Sequence, residues 1–337
     1  MDIYSHLTEP QRITSYDYIE SFISTHVSDW SKWNIDVGTD DIEQKFSVSI
    51  QAMTNIEFEF LLLHSGYIPD YYESDSARET LYSKLVESLV CEWAKRVGFS
   101  QSFLQKQKSN KEDITIKKDG RVIVCDAKSF RLGRSQAAPN VKDTIKKEAY
   151  ATWLASYPEE QRIGGLTTFP SLHNWKTGGA AYEYYTEGNP PIMILFYEHM
   201  AYILHNNIGA DSIISFLESY NIIFPQRSAD QTVYWDALYT NLFGAENSFS
   251  EYLEEVNKYI VEKVVHSLST IQGMITQIER EVDEYLSEIP KEKLRDVARK
   301  ALIDKKSKTL IEQAKNIKKF RPTSYETKEE KSEESLF

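Results

Sequence analysis

Cysteine, long apolar runs and net positive charge are all scarce in this chain, and each shortage excludes something. Of 337 residues only Cys91 and Cys125 are cysteines. That is too few, and too widely spaced, for a disulfide framework, a zinc site or a redox pair. Free thiols in a reducing cytosol are the expectation. The most apolar stretch, Pro190 to Leu204, is broken by Glu198 and His199 and is too short and polar to cross a bilayer. Met1-Asp2-Ile3-Tyr4-Ser5-His6 is neither basic nor apolar, so no signal peptide is expected, and a cytoplasmic protein is. The seven histidines are scattered, with no His-Asn-His arrangement and no zinc spacing. No glycine-rich phosphate loop is present, which argues against ATP-driven translocation, and no internal repeat is visible.

The net charge of −12 argues at first sight against a nucleic-acid partner. A duplex, however, senses only the face it touches. Between Lys106 and Lys147 twelve basic residues face five acidic ones, a local net of +7, and between Lys291 and Arg321 the balance is twelve to four, a net of +8. Acid is concentrated before residue 100 and over 177–289. Such segregation suits a DNA groove on a repelling surface. The bland reading, a solvated charged face, fits the 291–321 run at least as well.

Composition is that of a globular protein, with 41% hydrophobic, 27% charged and 12% aromatic residues. Aromatic and acidic residues crowd the first 60 positions, with helical spacing at Tyr18, Phe22 and His26. A helix is expected over 55–66, ended by Gly66 and Pro69. A stronger one is expected from Ser76 to Val97, with Leu81, Leu85, Leu89 and Trp93 four apart on one face. Asp113-Ile114-Thr115-Ile116 alternates like a strand, Lys118-Asp119-Gly120 reads as a hairpin turn, and Val122-Ile123-Val124-Cys125 as a buried central strand. Helix is expected over 140–156, a strand over Ile192 to Tyr197 with a helix from about Glu198, and helix again over 210–218. Ser248 to Leu286 carries a long amphipathic pattern, read as one helix or a pair bent near Gly273. It is a candidate dimer or DNA-clamp element and equally a core helix. A basic helical stretch runs to Arg321, and the tail beyond is expected to fray.

The expected fold class is therefore α/β, a mixed central β-sheet flanked by helices with a helix-rich C-terminal region. The expected division is an N-terminal helical segment (1–54), a catalytic core (55–225), a helical C-terminal region (226–321) and a disordered tail (322–337).

Chemistry concentrates in the hairpin. Two paired strands bring Asp113 near Asp126. Lys128, two residues further on, leaves the same strand face as Asp126. Two carboxylates and an ammonium within reach of one point suit hydrolysis of a phosphodiester. Mg2+ prefers carboxylate and water oxygens and uses few protein ligands, so Asp113 and Asp126 would hold it. Lys128 would orient or deprotonate the attacking water and stabilise charge in the transition state. Mutual repulsion between the acids should raise one pKa in the metal-free site. Asp-x-Lys alone is a weak pattern; the bland alternative is a surface hairpin whose charges keep it soluble.

Asp126-Ala-Lys-Ser-Phe-Arg-Leu-Gly-Arg134 closely resembles the corresponding run of the HindIII-type type II restriction endonucleases, within the PD-(D/E)XK nuclease superfamily. Gly66-Tyr-Ile-Pro69, Glu79-Thr-Leu-Tyr-Ser-Lys84, Asn140-Val-Lys-Asp143 and Glu198-His-Met-Ala-Tyr-Ile-Leu204 are similar to further family segments, so the likeness spans about 55–206. One departure is Glu112, where the motif has proline. The resemblance implies metal-binding Asp113 and Asp126 and catalytic Lys128. Glu79 becomes a candidate extra acid, or else a charge favoured at a helix N-terminus. Arg131 and Arg134 are candidates for phosphate or a guanine edge. Lys142, Lys146 and Lys147 are candidate phosphate contacts on one helix face. Asn140 either reads a base or caps its helix. The resemblance further implies Mg2+ as cofactor, double-stranded DNA as substrate, a twofold homodimer, a cognate DNA methyltransferase in the same cell, and AAGCTT as one candidate site. Two alternatives remain: a repair or mobile-element nuclease with little sequence preference, and a non-catalytic DNA-binding module.

Overall fold

A computed structural model describes residues 3–30, 33, 38–106, 111–131, 146–170, 186–228, 230–244, 248–287 and 292–318. Its centre is a five-stranded mixed sheet. In chain order the strands are β1 (Tyr67–Ile68), β2 (Gln101–Leu104), β3 (Ile114–Lys118), β4 (Arg121–Ala127), β5 (Phe130–Arg131), β6 (Arg162–Phe169) and β7 (Ile192–Phe196). The main sheet runs β2-β3-β4-β6-β7, while β1 and β5 form a separate parallel pair. β3 runs antiparallel to both β2 and β4, and β4, β6 and β7 are parallel.

The β3–β4 hairpin turns at Asp119-Gly120, where both residues take positive φ, +50° and +78°. A tight two-residue turn of this hand needs that conformation at both places, which is why Asp-Gly marks it. It locks Lys118 opposite Arg121 and carries the register to Ile114 opposite Cys125. Val122 through Asp126 are all buried, as expected for a strand covered on both faces.

Helices α1 (Glu9–Tyr16), α2 (Tyr18–His26), α3 (Thr39–Gln51) and α4 (Asn55–His64) precede the sheet. Thr54 and Glu57 close a capping box at the start of α4. α5 (Ala77–Arg96) packs along β2, β3 and β4. The Ser76 side chain accepts from the Glu79 amide, Lys95 and Arg96 sit in the last turn, and Gly98 leaves the helix at φ +98°. Leu81, Leu85, Leu89 and Trp93 are all buried, so the four-residue stripe is the face laid on the core.

The β4-to-β6 crossover is made by α6 (Lys147–Leu154), which packs on both strands. The strand β6 is absent from the sequence-based expectation. Its Gly164-Gly165 pair carries no apolar signal. The fold needs it: a Cβ at Gly165 would stand 2.3 Å from the Tyr150 ring, and one at Gly164 would stand 2.6 Å from the Pro191 carbonyl.

After β7 come α7 (Tyr197–His205), α8 (Ala210–Glu218), α9 (Tyr220–Ile223) and α10 (Gln231–Leu238), then α11 (Ser248–Leu286) and α12 (Glu292–Ile317). The pattern read as one helix or two is a single helix of 39 residues, continuous through Gly273. Its first half buries Phe249, Tyr252, Val256 and Ile260 against α4 and α7, and its length also packs on α12. That first half belongs to the core. No helix among the described residues is long and apolar enough to span a membrane. Both cysteines are buried free thiols.

Candidate active site

The open end of the β3–β4 hairpin gathers the charged residues. Just before β3, the Asp113 amide donates to the Cys125 carbonyl at 3.0 Å, continuing the ladder by one bond. The Asp113 carboxylate turns back across the partner strand and its Oδ2 accepts from the Ala127 amide at 3.1 Å. That bond to the residue after Asp126 places the Asp113 carboxylate beside the end of β4 where Asp126 lies. Lys128 brings Nζ to 2.6 Å from Asp126 Oδ2. Its amide donates to the Thr168 carbonyl at 3.0 Å, so the pairing with β6 extends one residue past the end of β4 and fixes the lysine backbone.

The site is deep on one side and open on the other. Asp126 is 8% exposed, whereas the side chains of Asp113 and Lys128 are 25% and 29% exposed. Burial pushes the Asp126 carboxyl up to about 7, and the neighbouring Asp113 adds to the rise while Lys128 opposes it. The direction matches the sequence-based expectation, but the main cause does not. Lost hydration matters most, the opposing Lys128 charge next, and repulsion between the acids less than either.

Asp113 and Asp126 present carboxylate oxygens side by side at this strand end. Hard oxygen donors in that arrangement fit a hard divalent ion such as Mg2+. Among the described residues no group of three His, Cys, Asp or Glu side chains gathers to hold a metal. The protein share would then be the two aspartates, with water and substrate completing the shell, which is how Mg2+ is usually held.

Glu79 is at the first turn of α5. Its Oε2 accepts from the Asp75 amide at 2.6 Å and its Oε1 pairs with Arg131 Nη2 at 2.9 Å. Of the two roles left open for Glu79, these contacts are those of the helix-terminal charge. Arg131 also donates to the carbonyls of Pro69 (2.9 Å) and Asp70 (3.3 Å). The Phe130 amide donates to the Gly66 carbonyl at 3.1 Å, beside the β1–β5 pair. Three stretches far apart in sequence, Gly66–Pro69, Glu79 and Phe130–Arg131, are thus clipped together beside the hairpin. Gly66 is required there, since a Cβ would meet the Tyr197 ring at 2.4 Å.

Lys146 is exposed at the N-terminus of α6, whereas Lys147 is half-buried and donates to the Glu187 carbonyl at 2.5 Å. The two neighbours therefore do not share one free face. Arg134, Asn140 and Lys142 lie outside the described residues, as does the tail over 322–337.

Three charged residues near the hairpin were missed by the sequence reading. Glu112, in the place of the motif proline, is 2% exposed and accepts from Tyr157 Oη (2.6 Å), Thr115 Oγ1 (2.7 Å) and Gln105 Nε2 (3.4 Å). Lys84 and Glu87 of α5 form an ion pair, and Lys84 Nζ lies 4.0 Å from Asp113 Oδ1. The signal available was their three-residue spacing on a helix, which puts them on one face. Among the described residues no histidine joins this group. His199 is buried, its pKa pressed down to about 3 by burial, and it bonds the Phe196 amide (3.2 Å) and Tyr239 (3.2 Å) within the core.

A family model described as HindIII restriction endonuclease matches residues 27–308. No curated protein matches the sequence.

Proposed function

The chain belongs to the HindIII restriction endonuclease family, and from that premise we propose that it is a type II enzyme using Mg2+ to hydrolyse both strands of DNA at a short palindrome. DNA cleavage follows from the family; the metal, the site residues, the dimer and the recognised bases are the proposal. The observation that carries it is the convergence at one strand end of Asp113, bound to the Ala127 amide at 3.1 Å, and Asp126, with Lys128 Nζ 2.6 Å from its carboxylate. A merely solubilising hairpin would not bury one of its acids to 8% exposure.

Asp113 and Asp126 would hold the ion. Mg2+ bound there supplies neutralisation of the scissile phosphate and a more acidic water. Asp126 must lose its proton to serve, so metal binding and proton release are linked. Lys128, fixed through its backbone to β6, directs its ammonium toward the same carboxylate. From there it donates to the attacking water or to phosphate oxygens as negative charge builds on them. The clip of Gly66–Pro69, Glu79 and Arg131 keeps the segment following Lys128 in place. Phosphate and base contacts are assigned to Arg131, Arg134, Asn140, Lys142 and Lys146, with Lys146 the exposed cation among those described, while Lys147 is held by Glu187.

One such site cuts one strand, so a twofold homodimer is the economical assembly for a palindrome. A methyltransferase of the same specificity would protect the host DNA. AAGCTT is one candidate sequence. Incubating the full chain with phage DNA and Mg2+ and sequencing the fragment ends tests all of this. Discrete bands with a common hexanucleotide support the proposal. A smear assigns a nonspecific nuclease, and retained binding without cleavage assigns a binding module.

A further inference from the structure

The carboxylate of Asp113 has one oxygen fixed and one less so. Oδ2 accepts from the Ala127 amide at 3.1 Å, while Oδ1 faces Lys84 Nζ at 4.0 Å. Lys84 is held in turn by Glu87, one helical turn along α5. Their side chains are only 14% and 5% exposed. An ion pair this deep gains little net stability, because desolvating both charges offsets their attraction. A solubilising role is excluded by the burial. What the pair does have is a direction: an ammonium 4.0 Å from the carboxylate of Asp113, which itself binds the amide of the residue after Asp126.

We infer that Lys84, anchored by Glu87, is a positioning residue of the active site that orients Asp113 and competes with the divalent ion for its charge. The inference rests on the nuclease reading of Asp113 and Asp126. In the metal-free protein the Lys84 ammonium offsets part of the negative charge of the aspartate pair. When the ion enters, Lys84 remains on the Glu87 side and limits the rotation of Asp113. The cost is weaker ion binding, since a fixed positive charge faces an incoming one. The gain is a correctly aimed ligand. Ion affinity and turnover should then respond to Lys84 in opposite directions, which a purely structural lysine would not produce.

The test is Mn2+ titration calorimetry on the full chain without DNA, paired with steady-state cleavage at saturating metal. Lys84→Met should bind Mn2+ roughly tenfold more tightly and yet show a kcat lowered on the order of tenfold or more, with KM for DNA little changed. Glu87→Gln should do the reverse to the ion, weakening it several-fold, because Lys84 then leans more fully on Asp113. Lys84→Arg keeps the charge and should stay within about threefold of the parent in ion affinity. If Lys84→Met does not fold, Glu87→Gln and Lys84→Arg carry the test between them. Unchanged Mn2+ affinity in Glu87→Gln, or affinities moving the same way in Lys84→Met and Glu87→Gln, overturns the inference. Failure of the parent chain to cleave DNA would instead sink the nuclease reading, so the two failures are distinguishable.

Discussion

Glu112 and Asp126 are acids of the same hairpin, both nearly excluded from solvent, yet their surroundings are opposites. Glu112 is 2% exposed and accepts from three neutral donors, Tyr157, Thr115 and Gln105. Asp126 is 8% exposed and lies between an ammonium and another carboxylate. Neutral donors saturate the Glu112 oxygen and ask for nothing more. Asp126, by contrast, carries a frustration: burial opposes its charge, Asp113 opposes it further, and a single lysine compensates in part. A buried acid satisfied by neutral hydroxyls holds structure together, while one left in tension with a second acid is prepared for an incoming cation.

The widest separation is expected between activity and stability. Asp126→Ala should lower cleavage by about three orders of magnitude or more while leaving DNA binding. Removing a buried acid in repulsion should also raise the melting temperature of the metal-free protein. Full activity of this variant in Mg2+ would remove the proposed site. Glu112→Ala should act conversely. It leaves the hydroxyls of buried Thr115 and half-buried Tyr157 with a lost acceptor, at about 1–3 kcal/mol, read as a lower midpoint in urea. Residual activity at low temperature should persist. If Glu112→Ala instead abolished cleavage at unchanged stability, the contrast between the two acids would be wrong.

Acidity sharpens the same contrast. The Asp126 carboxyl sits at about 7 in the folded protein, above the ordinary carboxylate value near 4. Between these values the folded state binds more protons than the unfolded chain, so stability falls as pH rises. The contribution of Asp126 is full below about pH 4 and lost by about pH 7. Asp70 and Glu20, also raised to about 7 by burial, impose the same trend. The informative quantity is therefore the difference between the parent and Asp126→Asn across that range. It should shrink toward zero at low pH and grow toward neutrality. Mg2+ should flatten it, by stabilising the charged acid in the parent alone.

Much of this site was legible in the sequence because its parts are local. The Asp-Gly turn fixes register, register brings Asp113 back to the end of β4, and two-residue spacing aligns Asp126 with Lys128. α5 announced itself through its leucine stripe and serine cap. What stayed hidden depends on contacts across the fold. β6 is written with glycines because the Tyr150 ring and the Pro191 carbonyl occupy the space a side chain would fill. Lys84 and Glu87 look like an ordinary surface pair until α5 is laid on the hairpin. Glu112 looked like a lost proline, and only Tyr157, 45 residues away, explains why a glutamate can stay buried there.

The smallest expected effect separates two adjacent lysines that the sequence treated alike. Lys146 is exposed at the start of α6, where helix N–H groups and its own charge face solvent. Lys147 is spent on Glu187, accepting burial that presses its pKa down while the glutamate carboxylate and carbonyl hold its ammonium. Lys146→Ala should leave stability within about 0.5 kcal/mol and weaken DNA binding modestly, reducing the slope of log affinity against log salt by about one. Lys147→Ala should leave that slope alone and lower stability by about 1 kcal/mol, through the hydrogen bond to the Glu187 carbonyl it abandons. Equal salt slopes for the two variants would mean that the DNA-bound enzyme draws Lys147 away from Glu187 and onto the backbone, giving the two lysines the common role first read from their spacing.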